Sequence, residues 1–243
     1  MNILEVEALQ ARHGQLQAVR EVSLRVAAGE VLALIGANGA GKTTLLRCIA
    51  GVHRAAGGRV RLAGRDVTGL SPHARVGAGL AMVPEGRRLF DGMTVRENLQ
   101  VAGDAGRQGR WTLDTVAQAL AALRPILDLP TDGLSGGQRQ AVAIGRALMT
   151  NPQVLLLDEV SLGLSPAAVH ALYENLASLR RDGSTTLVLV EQDLDRALAF
   201  ADRFACMREG RVVLQGKTGD VPKEAITQAY FGIESPPEKE ALS

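Results

Sequence analysis

Apolar and polar side chains alternate from Ile3 to Leu9 and again from Val22 to Val26. A period of two is what a strand with one face on a core requires, so both segments are expected to be antiparallel strands. Val31-Leu32-Ala33-Leu34-Ile35 differs: after the turn Ala27-Ala28-Gly29-Glu30 it is apolar without a break. Such a run fits a strand covered on both faces, and Val154 to Leu157 and Thr185 to Val190 read the same way. Between these runs the spacing turns helical, at Thr44 to Ala50 before Gly51, at Pro166 to Arg181 and at Asp193 to Ala201. Alternating strands and helices predict an α/β fold: a parallel or mixed sheet with helices on both faces, and the antiparallel strands beside it as a β subdomain.

Shorter signals fill in the rest. Gly57-Gly58 leads into a strand at Arg59 to Ala63 and a turn at Gly64-Arg65-Asp66. Ser71-Pro72 opens a short helix that Gly77 and Gly79 are expected to end, before a strand at Leu80 to Val83. Pro84 to Met93 is rich in glycine and arginine and reads as a loop, after which Thr94 and Glu97 form a capping box. From about residue 94 to 150 the pattern is mostly helical. Gly103 to Arg110 is a polar connection, Leu113 to Leu129 is a helical stretch that Pro125 kinks or breaks, and Arg139 to Met149 is a helix. With no internal repeat and no linker, this segment is expected to be a helical subdomain inserted in one domain spanning 1–234. Phe204 to Met207 and Arg211 to Gln215 form a hairpin through Glu209-Gly210, and residues 235–243 are expected to be a disordered tail.

Composition narrows the function classes. With 27 basic and 26 acidic side chains among 243 residues, the chain offers no excess of basic charge, and nucleic acid is not an expected partner. No apolar run approaches the roughly 18 to 20 residues of a membrane span, and the N-terminus lacks the pattern of a signal peptide. The expectation is a soluble, cytoplasmic chain. Cys48 and Cys206 are far apart at no metal-ligand spacing and read as small buried hydrophobes.

Gly36-Ala37-Asn38-Gly39-Ala40-Gly41-Lys42-Thr43 fits the phosphate-binding P-loop pattern, and it stands where the pattern must stand, between an apolar strand and a helix. Glycines let successive N–H groups turn inward around an anion, and the first turn of the helix, which includes Thr44, adds unpaired donors. Lys42 would reach the β- and γ-phosphates of ATP, and the Thr43 hydroxyl would ligate Mg²⁺. The strand Val154 to Leu157 ends in Asp158-Glu159. At the carboxyl edge of a parallel sheet Asp158 would hold the same Mg²⁺, while Glu159, on the opposite side of the strand, is the candidate base for the attacking water.

A second glycine-bearing motif, Leu134-Ser135-Gly136-Gly137-Gln138, stands directly before the helix at Arg139. Its helix N-terminus makes another anion cradle, and two γ-phosphate cradles in one chain imply a second subunit. Taken together, the P-loop, this signature and the acidic strand resemble the ATP-binding cassette ATPases, over nearly the whole chain to about residue 233. The resemblance implies that two cassettes sandwich two ATP molecules, with Ser135, Gly136, Gly137 and Gln138 of one subunit capping the nucleotide on the other's P-loop. It also implies that Glu85 occupies the place of a glutamine that senses Mg²⁺ and the attacking water and abuts the membrane partner. Gln192 takes the place of a switch histidine. An amide can donate to a γ-phosphate but cannot take up a proton, so hydrolysis would rest on Glu159.

Within the family, "VPEGR", "SLGLSP" and "VEQ" are similar to the shorter ATPase subunit of branched-chain amino-acid importers, with urea and amide importers as the nearest alternative. The implied partners are integral-membrane permeases, a second cassette ATPase and, indirectly, an extracytoplasmic solute-binding protein. The implied location is the inner face of the membrane. Cassette ATPases of nucleic acid or ribosomes are the rival class, and their long insertions and basic surfaces are not seen in this sequence. Two positions depart from the subfamily. His13 stands where a tyrosine usually stacks on adenine, and Val160 stands where a proline usually follows the glutamate.

Overall fold

The computed structural model describes residues 1–183 and 185–233, so the tail expected at 235–243 lies outside the described residues. The two alternating segments form an antiparallel hairpin, β1 (Asn2–His13) with β2 (Leu16–Ala27), each longer than the alternation marks. The apolar run follows as β3 (Val31–Ile35), and the P-loop delivers the chain into α1 (Lys42–Ile49), closed by Gly51 at a φ of 77°. β4 (Gly57–Leu62) pairs with β1 and with β5 (Arg65–Asp66), a short strand where the sequence suggested a turn. The turn itself is one step earlier, where Ala63 and Gly64 both take positive φ. The result is a four-stranded antiparallel sheet in the order β2-β1-β4-β5.

The chain then makes α2 (Pro72–Ala78), capped by the Ser71 side chain and ended by Gly79 at a φ of 105°, with Gly77 inside the helix rather than ending it. β6 (Leu80–Val83) enters the second sheet. After the loop, Thr94 and Glu97 close the expected capping box on α3 (Val95–Asp104). α4 (Leu113–Ala119) is shorter than the stretch to Leu129 allowed. Pro125 has no N–H, and its ring opposes an α-turn back to Ala121, so Ala121–Ile126 tightens into a 3-10 segment. α5 (Gly136–Met149) starts three residues earlier than expected because Ser135 caps it.

β7 (Val154–Asp158), α6 (Pro166–Asp182), β8 (Thr186–Val190), α7 (Leu194–Phe200), β9 (Arg203–Arg208) and β10 (Arg211–Lys217) follow the predicted order. The six-stranded sheet runs β10-β9-β3-β8-β7-β6, parallel throughout except for the β9–β10 hairpin. A last helix, α8 (Lys223–Phe231), was not foreseen: Ile226 is its buried anchor, too little for a periodic signal. The fold is α/β, with a mixed sheet, an antiparallel β sheet and a helical layer.

β3, β7 and β8 are buried at every position, and the period of two sorts their side chains into two cores. Leu32, Leu34, Leu156 and Val188 join α1 and the antiparallel sheet. Ala33, Leu155, Leu157 and Leu189 face the helical layer of α3, α4, α5 and α6. β3 and β7 flank β8 and run parallel to it, so the P-loop after β3 and Asp158 at the end of β7 share one edge of the sheet.

One charge is spent on holding α1 at its C-terminal end. Arg75, only 3% exposed, donates to the carbonyls of Cys48 and Ile49, both at 2.6 Å, and to those of Leu70 and Thr68. Ile49 O is among the acceptors that a helix end leaves without partners, and Cys48 O takes the guanidinium beside the Gly51 N–H. Arg75→Met should therefore strand buried carbonyls and lower unfolding stability by about 3 kcal/mol, read by urea titration; a loss below about 1 kcal/mol would show that water replaces the guanidinium there.

Candidate functional site

Backbone geometry, more than side chains, builds the P-loop. Gly36, Gly39 and Gly41 take φ of 146°, 81° and 100°, which L side chains rarely adopt. Space forbids a substituent as well. A Cβ on Gly36 would collide with the Met207 carbonyl, and one on Gly41 with the Ala18 carbonyl. The loop is propped from the hairpin β9–β10, where Gly210 N–H donates to Ala40 O at 3.0 Å and Gly210 O accepts from Arg20 N–H at 2.7 Å. Gly210 is a supporting residue that its sequence position marks only as a turn. α1 begins here with no side-chain cap and no acidic residue in its first turn, so its first N–H groups are free for an anion.

Lys42 is 4% exposed, and its Nζ donates to Gly36 O at 2.6 Å and Ala37 O at 3.1 Å. Burial pushes the ammonium below the ordinary lysine range, against the opposing pull of Glu159 and Asp158. A buried cation with carboxylates nearby and loop carbonyls as its hydrogen-bond partners is poised for a polyanion.

Asp158 closes the other side. It is fully buried, and its Oδ1 accepts from the Thr43 hydroxyl at 2.9 Å. Burial raises its pKa above the usual carboxylate range; the Thr43 hydrogen bond works the other way, and Glu159 adds to the rise. Oδ2 is buried with no hydrogen-bond partner. An orphaned carboxylate oxygen beside a hydroxyl is hard-oxygen chemistry that suits Mg²⁺. Glu159 lies one residue past β7, where a backbone φ of 49° replaces the strand's alternation, and its Oε2 accepts from Gln192 Nε2 at 2.6 Å. Val160 behind it is 2% exposed and packs in the core on the helical side.

A cleft of about 470 Å³ unites Asn38 to Thr44, Glu85, Glu159 and Gln192. His13 lines it too, with its Nε2 3.1 Å from Thr44 Oγ1 and its ring 4.5 Å from that of His53, tilted by 45°. Leu16 and Ala18 of β2 and Leu162 also line the cleft. Sequence reading passed over all three as cleft residues, since apolar positions in a strand or turn carry no chemical signal of their own.

Ser135, Gly136, Gly137 and Gln138 do not line this cleft. They form a capping box at α5: the Ser135 hydroxyl accepts from Gln138 N–H at 3.3 Å and Gln138 Oε1 from Ser135 N–H at 2.9 Å. A Cβ on Gly137 would sit 3.0 Å from that of Ala168, so close packing against α6 contributes to the need for glycine there. Cys48 and Cys206 are buried free thiols, each pushed up to about 11 by burial, which disfavours the thiolate. Among the described residues no helix is long and apolar enough to cross a membrane.

Comparison with known proteins agrees with this geometry. The profile of the ABC transporter family matches residues 19–161. The chain is 40% identical over 234 residues to the high-affinity branched-chain amino acid transport ATP-binding protein BraG of Pseudomonas aeruginosa, covering 95% of this chain and 100% of that one. It is 33% identical to the probable branched-chain amino acid transport ATP-binding protein LivF of Archaeoglobus fulgidus, covering 95% and 99%. A solved nucleotide-free ATP-binding cassette from an ABC transporter superposes with a TM-score of 0.81 at 29% identity, covering 94% of this chain and 95% of that one.

Proposed function

Because the chain belongs to the ABC transporter family and is an ATPase subunit of that family, we propose that it hydrolyses ATP to energise an importer of branched-chain or other hydrophobic amino acids. The observation that carries the ATPase reading is the single cleft lined by Lys42, Thr43 and the Glu159–Gln192 pair, with Asp158 behind it on the Thr43 hydroxyl. The solute class rests on the likeness to BraG and LivF alone, since no solute need touch this subunit.

In the proposed reaction the P-loop N–H groups and the start of α1 hold the polyphosphate, and Lys42 leaves its loop carbonyls for the β- and γ-phosphates. Thr43 and Asp158 would hold Mg²⁺, which when bound supplies positive charge for the phosphate oxygens. Glu159 accepts a proton from the attacking water, and Gln192 orients the carboxylate by donating to Oε2. His13 and Leu16 border the space next to Thr44, where the base would extend. Glu85, exposed at the same cleft, is proposed to answer to the permease.

The signature residues lie outside the cleft of their own chain, which supports a second cassette, facing this one, as the owner of the ATP that Ser135 and Gly137 cap. The protein is proposed to sit peripherally on the cytoplasmic face of the membrane, bound to permease subunits, with a solute-binding protein acting indirectly. Affinity purification of the tagged chain from gently solubilised membranes tests this. Recovery of polytopic permeases and a second cassette supports the importer; recovery of ribosomal or DNA-repair proteins without a permease overturns it and leaves the ATPase chemistry standing.

A further inference from the structure

Glu191 carries a charge that the proposed reaction leaves unused. It follows β8 directly, and its side chain is 3% exposed. Its Oε2 accepts from the Ser161 hydroxyl at 2.7 Å and the Tyr173 hydroxyl at 2.8 Å. Its Oε1 accepts from the backbone N–H of Gln192 at 2.9 Å and of Asp193 at 3.3 Å, with the Arg196 guanidinium 3.9 Å away. Tyr173 is itself fixed, with Phe200 edge-on at 5.2 Å and the Arg196 guanidinium 5.7 Å above its ring. Burial, reinforced by Glu191, raises the phenol pKa, so Tyr173 remains a neutral donor.

A buried carboxylate is costly unless it is fully hydrogen-bonded, and here both oxygens are. Its partners come from both sides of the catalytic pair. Ser161 lies two residues beyond Glu159, in a turn closed by Leu162 N–H to Glu159 O at 3.1 Å. Gln192 is the next residue in the chain, and its Nε2 reaches Glu159 Oε2. One carboxylate therefore holds the backbone of the donor and the turn of the acceptor.

We propose that Glu191 is a positioning residue for hydrolysis, which, through Ser161, Tyr173 and the Gln192 N–H, fixes Gln192 and Glu159 in hydrogen-bonding register. The inference rests on the ATPase reading of the cleft. Both oxygens accept here; an amide in this place would have to donate to the Ser161 and Tyr173 hydroxyls, reversing both of those bonds and removing the carboxylate's charge from the Gln192 and Asp193 N–H groups. Glu191 touches neither ATP nor water in this scheme and acts only through the pair.

Steady-state ATPase kinetics on the full chain test it. Glu191→Gln should lower kcat about 10-fold while KM for ATP stays within about 2-fold. In a Gln192→Ala background the same exchange should change kcat by less than about 2-fold, because the register it maintains is already gone. An undiminished 10-fold loss in that background, or a parent-like kcat for the single variant, overturns the assignment. If Glu191→Gln does not fold, Tyr173→Phe and Ser161→Ala each remove one donor and should show about 3-fold losses that vanish in the same background. Glu159→Gln runs alongside: if it stops turnover while Glu191→Gln does not, the positioning role alone fails, and if both are silent the reading of the cleft fails with it.

Discussion

Lys42→Ala is expected to slow ATP hydrolysis by about 10³-fold or more and to weaken ATP binding in parallel. The ammonium is held 4% exposed at the floor of the P-loop, with loop carbonyls at 2.6 and 3.1 Å as its partners. Bringing a polyphosphate into the cleft exchanges those neutral acceptors for charged oxygens, in a setting where water screens little, so much of the charge stabilisation passes through this atom. Lys42→Arg should fail nearly as badly. A planar fork is larger than an ammonium, and the loop around Gly36 and Gly41 has no room to retreat from Met207 O and Ala18 O. Phosphate release and equilibrium dialysis with labelled ATP give the two numbers. Turnover within about 10-fold of the parent would remove Lys42 from the phosphate site. The fold itself should tolerate the change, since the variant loses hydrogen bonds worth about 1 kcal/mol each and packs no core.

How much of this was legible in the sequence depended on which interactions are local. β3, β6, β7 and β8 could be placed to within a residue because burial on both faces leaves uninterrupted apolar runs. Thr94 and Ser71 marked their helices because capping is decided within four residues. The P-loop and the Asp158-Glu159 end were legible because backbone geometry and charge at a sheet edge demand particular residue types. What stayed hidden was long-range. Gly210 supports Ala40 from 170 positions away, and Arg75 closes α1 from the far side of β4. Leu16 lines the cleft only because β2 starts beside the P-loop. α8 failed for another reason: it buries Ile226 alone, and a single anchor sets no period. Glu191 was visible as a letter in a subfamily stretch, but nothing local announced that Ser161 and Tyr173 would meet it.

Glu159→Gln is expected to reduce turnover by about 10²- to 10³-fold while leaving ATP affinity near the parent value. The exchange is nearly isosteric. The carboxamide oxygen that replaces Oε2 can still accept from Gln192 Nε2, so the 2.6 Å contact and the turn behind it can survive. Only the capacity to take a proton is lost, and Gln192, an amide itself, cannot restore it. Nucleotide should therefore accumulate unhydrolysed on the protein, and if two cassettes close around it, ATP with Mg²⁺ should drive the variant into a dimer resolved by sedimentation velocity. Gln192→Ala makes the complementary change: it keeps the base and removes its orienting donor, for an expected loss of about 10- to 100-fold. The order of the two variants decides the chemistry. A larger loss for Gln192→Ala than for Glu159→Gln would mean that orientation of the phosphate by the amide, and not proton acceptance by the carboxylate, limits the reaction.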